Sequence, residues 1–123
     1  MAHILVADDQ EKIRNILKSL LERYGHTVTV ATNGKEALQA YSSRPTDLLI
    51  TDILMPDMEG IETIRAFRKL DPNIKIIAMS GGGTVEANEY LRMAQLFGAK
   101  RTISKPFDVL EILNAVNEVL AEG

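Results

Sequence analysis

The sequence predicts an α/β domain: a doubly wound, five-stranded parallel sheet of order 2-1-3-4-5. Three observations predict it: short apolar runs alternate with helical periodicities, the inner runs are apolar throughout, and the outer ones alternate apolar with polar residues. Strict strand-helix alternation requires right-handed crossovers back over the sheet, so the strands run parallel with helices on both faces.

Ile4 to Ala7 is the first strand, too short for a helix and closed by Asp8-Asp9. Ile13, Ile16, Leu17, Leu20, Leu21 and Tyr24 then follow the i, i+3, i+4, i+7 spacing of one buried helix face, with Gly25 at the C-cap. Thr27 to Ala31 alternates around Val28 and Val30 and reads as a sheet edge. Asn33, with Glu36 three residues on, opens a second helix marked by Ala37, Leu38 and Tyr41, a variant of the capping box.

Leu48 to Ile50 is the third strand and Ile74 to Met79 the fourth, with Ile61, Ile64 and Phe67 marking the helix between them. Leu91, Ala94 and Phe97 mark a fourth helix ended by Gly98. Arg101 to Ser104 alternates around Ile103 as the second edge strand. Val109, Ile112, Leu113, Val116 and Leu120 mark a fifth helix, opened by Asp108 with Glu111 behind it. With the alternating strands at the edges, the switch point falls between strands 1 and 3, where ligands bind beyond the carboxyl ends.

A chain of 123 residues, 46% hydrophobic and 25% charged, is expected to form one domain over 1–123. With no cysteine, thiol chemistry, cysteine-ligated zinc, iron-sulfur clusters and disulfides are excluded. Fourteen Lys and Arg against seventeen Asp and Glu, with no basic run, argue against direct nucleic-acid binding. The apolar start before Asp8 is too short to span a membrane and lacks a basic leader, so a cytoplasmic protein is expected.

At the carboxyl ends of the predicted strands stand Asp8 and Asp9, Asp52, Ser80 and Lys105, the last followed by Pro106. Three carboxylates in one crevice repel at roughly 4 kcal/mol per pair at about 4 Å and an effective dielectric near 20. A hard cation such as Mg2+ answers this, taking one or two carboxylates and leaving positions for phosphate oxygens, and Lys105 adds a second positive charge. A carboxylate so placed can attack a phosphoryl group to give an aspartyl phosphate. Ser80 can then donate a hydrogen bond to a new oxygen, from the start of a Gly81-Gly82-Gly83 loop free to move.

The sequence resembles the receiver domain of two-component response regulators over essentially its whole length, a fold shared with flavodoxin. The residues that carry the resemblance are Val6-Ala7-Asp8-Asp9, Thr51 to Gly60, Ala78-Met79-Ser80, Gly98-Ala99 and Lys105-Pro106-Phe107. It implies that Asp52 is the phosphoacceptor, that Asp9 and Asp52 bind Mg2+ directly, that Asp8 acts through metal-bound water, and that Leu54 adds its backbone carbonyl. It further implies that Ser80 binds the phosphoryl group, that Lys105 pairs with it, and that the Lys105-Pro106 bond is cis. The donor would be a sensor histidine kinase or a histidine phosphotransfer protein, met by the polar rim of the first helix at Arg14, Asn15 and Lys18. If Gly123 ends the protein, output is expected through protein contacts, as an adaptor or relay member; if the sequence is a piece of a longer protein, the output segment lies outside it. One departure stands out: many receivers carry Tyr or Phe three residues before the lysine, and here that residue is Thr102.

Plainer readings compete. Asp8-Asp9 could cap the first helix, and Gly81-Gly82-Gly83-Thr84 suggests a phosphate cradle but lacks the Gly-Lys-Ser/Thr ending. His3 and His26 show no ligand pattern. Tyr90 and Leu96 are candidates for an output surface, with core packing an equal reading for Leu96. A haloacid-dehalogenase-like phosphatase would need an acid two residues after Asp52, where Leu54 stands. A flavodoxin-like cofactor binder would need a first loop that welcomes phosphate, which Asp8-Asp9 would repel.

Overall fold

The computed structural model describes residues 2–53, 60–81 and 85–122, without the side chains of 85–88, 90 and 91. Along the chain come β1 (His3–Ala7), α1 (Glu11–Arg23), β2 (Thr27–Ala31), α2 (Gly34–Ser43) and β3 (Leu48–Asp52). There follow α3 (Gly60–Leu70), β4 (Lys75–Gly81), α4 (Val85–Leu96), β5 (Arg101–Lys105) and α5 (Val109–Ala121). The pairings are parallel and the sheet order is β2-β1-β3-β4-β5, as the strand patterns predict.

Alternate residues of each inner strand enter opposite apolar layers. Ile4, Val6, Leu48, Ile50, Ile77 and Met79 pack with Leu17 and Leu21 of α1 and Ile112 and Val116 of α5. Leu5, Ala7, Leu49, Ile76 and Ala78 pack with Tyr41 of α2, Ile64 and Phe67 of α3 and Ala94 of α4. Burial on both faces is why these strands are apolar throughout, each large side chain contributing about 1.5–3 kcal/mol on transfer from water.

Caps set the helix limits. Asn33 Oδ1 accepts from the Glu36 amide at 2.9 Å, while Glu36 Oε1 accepts from the Thr32 amide at 2.9 Å, closing the capping box one residue early. Asp108 Oδ1 accepts from the Leu110 amide at 2.8 Å. Gly25 and Gly98 end α1 and α4 with φ of 91° and 114°, a conformation that side chains resist.

Five residues placed on apolar faces by periodicity are exposed: Ile16, Tyr24, Val30, Phe97 and Val109. Tyr24 is the residue after the last turn of α1, where helical spacing no longer directs it. Ile16 flanks the stripe that Leu17 and Leu21 define, and Val30 lies on an edge strand with no outer neighbour. Val109 begins α5. Leu96 is exposed as well, which removes its core reading.

His3 is buried, its Nε2 2.7 Å from Thr29 Oγ1, and burial holds its pKa below the ordinary histidine value. His26 Nδ1 accepts from the Ala2 amide at 3.2 Å. Both serve the fold. Among the described residues no helix is long and apolar enough to cross a membrane.

Candidate functional site

Parallel strands end on the same side, so β1, β3, β4 and β5 deliver their last residues to one rim of the sheet. The register aligns Ala7 with Thr51, Asp52 with Met79, and Gly81 with Lys105. One oxygen from each of Asp8, Asp9 and Asp52 lies within 4.8 Å of the others. Lys105 reaches across from β5, its Nζ 2.7 Å from Asp8 Oδ2 and 2.8 Å from Asp52 Oδ2. The cleft is about 500 Å³ and is lined by Asp9, Gln10, Ile13, Asp52, Gly81, Lys105 and Pro106.

Asp8 is fully buried and Asp52 nearly so, while Asp9 faces solvent. Burial raises the pKa of Asp8, opposed by hydrogen bonds from Lys105 and from the Gln10 amide. Burial also works against the Lys105 ammonium, but its hydrogen bonds to Asp52 and Asp8 outweigh that and keep its pKa above the usual value. Three carboxylates and one ammonium leave a formal charge of about −2, which one divalent cation balances, and an exposed carboxylate beside two buried ones leaves room for its waters. The donor set is all oxygen and suits a hard cation.

Helix capping does not explain Asp8-Asp9. Gln10 is the N-cap residue of α1, with no side-chain cap bond. Asp8 instead turns inward, its Oδ1 accepting from the Gln10 amide at 2.9 Å. Ser80 is fully buried, and its Oγ has no hydrogen-bond partner among the described residues. A buried hydroxyl normally finds one, so this group suits a site that receives a further acceptor. Gly81 lies open at the rim, a Cβ there meeting nothing within 4 Å among the described residues. The Lys105-Pro106 peptide is cis. Thr102 is half-buried and pairs with Ala78. Leu54 and the Gly82-Gly83-Thr84 segment lie outside the described residues, as do the side chains of Tyr90 and Leu91.

Three residues hold the site in ways periodicity does not reveal. Arg14, on the polar rim of α1, donates to the Asp8 carbonyl at 2.8 Å and pins the turn after β1. Gln10 lines the cleft with its Oε1 3.4 Å from Lys105 Nζ, and only its place directly after Asp9 hints at this. Gly60 pins the other side, donating to the Ile53 carbonyl at 3.0 Å. A Cβ on Gly60 would lie 2.1 Å from Ile53 Cα and 2.5 Å from the Asp52 carbonyl oxygen, both backbone atoms. Gly60→Ala should therefore cost about 1–3 kcal/mol in urea unfolding and weaken divalent-cation binding by displacing Asp52. Unchanged values for both would show that the β3 end yields freely.

Comparison with known proteins agrees with this geometry. The sequence model of the response regulator receiver domain matches residues 4–117. The response regulator receiver protein CpdR of Brucella abortus is 34% identical over 120 residues, covering 98% of both chains. Chemotaxis protein CheY of Thermotoga maritima is 38% identical over 117 residues, covering 94% of this chain and 95% of that one. The receiver domain of NtrX from Brucella abortus superposes with a TM-score of 0.91 at 27% identity, covering 98% and 99% of the two chains. These matches do not favour a phosphatase or a flavin carrier. The chain belongs to the response regulator receiver domain family, the phosphoacceptor domains of two-component signalling.

Proposed function

We propose that Asp52 takes up the phosphoryl group and that Asp8, Asp9 and Asp52 hold Mg2+, with the Leu54 carbonyl as a further ligand. What carries this reading is the convergence of three carboxylate oxygens within 4.8 Å, two of them on residues bonded to Lys105. An Asp52 oxygen forms the new O–P bond as the P–N bond of a phosphohistidine breaks, and the released imidazole nitrogen takes a proton. The donor is a sensor histidine kinase or a histidine phosphotransfer protein. Bound Mg2+ supplies positive charge against the phosphoryl oxygens. Lys105, now on Asp52, pairs with a phosphoryl oxygen, and the Ser80 hydroxyl donates to another. Residues 1–123 act as one receiver unit in the cytoplasm.

The chemistry is confined to the domain's own aspartate. Leu54 stands where a phosphatase would carry an acid-base group, so attack by water is slow and the phosphorylated state persists as a signal. Incubation with a small acyl phosphate or a phosphorylated histidine phosphotransfer protein should add one phosphoryl group to the intact mass, and only with Mg2+ present. No gain from either donor, or a gain indifferent to Mg2+, would contradict the reading.

Asp9 is the solvent-facing carboxylate of the three and makes no ion pair among the described residues. Asp9→Ala should leave stability intact and weaken Mg2+ binding about tenfold, roughly 1.4 kcal/mol, by calorimetric titration. An unchanged isotherm would remove Asp9 from the ligands.

A further inference from the structure

Lys105 is held by more than the two carboxylates. Its ammonium carries three N–H groups: one goes to Asp8 Oδ2 at 2.7 Å, one to Asp52 Oδ2 at 2.8 Å, and the third reaches Gln10 Oε1 at 3.4 Å. The two short bonds lead to buried residues and the long one to an exposed residue. Gln10 therefore stands on the open side of the ammonium. Among the described residues that line the cleft, its side chain is the only neutral polar one.

The backbone fixes where that side chain starts. The Gln10 amide donates to Asp8 Oδ1 at 2.9 Å, and the Gln10 carbonyl accepts from the Arg14 amide at 3.1 Å. Position 10 is also the N-cap of α1, where Ser, Thr, Asp or Asn would satisfy a free helix amide, and the Gln10 side chain makes no such bond. It turns to the cleft instead, and a local rule broken in this way marks positions kept for function.

With Asp52 as the phosphoacceptor, on which this rests, we infer that Gln10 is a positioning residue for phosphoryl transfer, its amide oxygen drawing the Lys105 ammonium outward to the incoming phosphoryl oxygens. Asp52 is nearly buried, so a phosphoryl group on it stands farther out in the cleft than the carboxylate does. To pair with that group, Lys105 leaves Asp52 Oδ2 and moves toward Gln10, and the 3.4 Å contact shortens. A bond that is long at rest and tightens along the reaction stabilises the transition state more than the resting protein, which is what raises a rate. An alkyl group of the same length would leave the third N–H without a partner just as another lets go of Asp52.

Gln10→Met keeps the length of the side chain and removes the acceptor. Phosphoryl uptake from an acyl phosphate at saturating Mg2+ should slow about tenfold through the misplaced ammonium. Melting temperature and Mg2+ affinity should match the wild type, since this side chain neither caps α1 nor belongs to the carboxylate cluster. Gln10→Glu restores an acceptor at the same reach and should recover most of the rate. In metal-free protein the Lys105 ammonium protons, followed by heteronuclear NMR, should exchange with water several-fold faster in Gln10→Met. Equal uptake by wild type and Gln10→Met, a Gln10→Glu variant as slow as Gln10→Met, or unchanged ammonium exchange would overturn the inference while leaving Asp52 as the acceptor. A wild type that takes up no phosphoryl group would overturn the phosphoacceptor reading, and the role of Gln10 with it.

Discussion

Asp52→Asn is expected to abolish phosphoryl uptake while leaving the fold in place. The amide keeps the shape of the carboxylate, and its oxygen still accepts the hydrogen bond that Lys105 Nζ now gives Asp52 Oδ2 at 2.8 Å. Because it also removes one of three mutually repelling charges, thermal stability should move by no more than about 1 kcal/mol. What is lost is the nucleophile, since an amide oxygen does not displace a phosphoryl leaving group. By intact mass, the wild type gains one phosphoryl group with donor and Mg2+, and the variant gains none. Stoichiometric labelling of the variant would assign the acceptor elsewhere.

Lys105→Ala should act in two directions at once. The lysine is bonded to Asp8 and Asp52, both buried, and removing one partner of a buried ion pair costs about 3–5 kcal/mol because the remaining charge stands uncompensated. Asp8 is the more sensitive of the two, for burial already raises its pKa and Lys105 is the first group to oppose that. Without the ammonium, however, the crevice is more negative and should bind a divalent cation more tightly. Urea unfolding should show a large loss of stability without metal that shrinks as Mg2+ is added, because a ligand that binds only the folded state stabilises it. An equal loss at every Mg2+ concentration would mean that Lys105 does not balance these carboxylates.

Most of the fold was legible because burial dictates composition. Leu48, Leu49 and Ile50 are apolar in sequence because both faces of β3 are covered, and Thr27 and Thr29 mark the edge where coverage ends. Asn33 and Asp108 announced their helices because a helix start needs acceptors for its free amides. The site was legible for a topological reason, since residues at the ends of parallel strands must meet.

What stayed hidden depends on side-chain reach and on neighbours distant in sequence. Lys105 could be placed beside the acids from its strand position, yet its sharing between Asp8 and Asp52 is a matter of a flexible chain crossing 53 and 97 residues of sequence. Arg14 read as part of a solvated rim, and its hold on the Asp8 carbonyl follows from the turn after β1. Phe97 looked as fit for the core as Ala94 by its spacing, and only the seating of α4 on the sheet tells the two apart.

Borohydride reduction of the phosphorylated protein, followed by peptide mass spectrometry, bears most directly on Asp52 as the acceptor. An aspartyl phosphate is reduced to homoserine, whereas a free aspartate is not, so the modified position is read from the fragment masses. Homoserine at position 52, dependent on donor and Mg2+, is the expected result. Homoserine at position 8 or 9, or a phosphoryl group that survives reduction on Ser80, would contradict it.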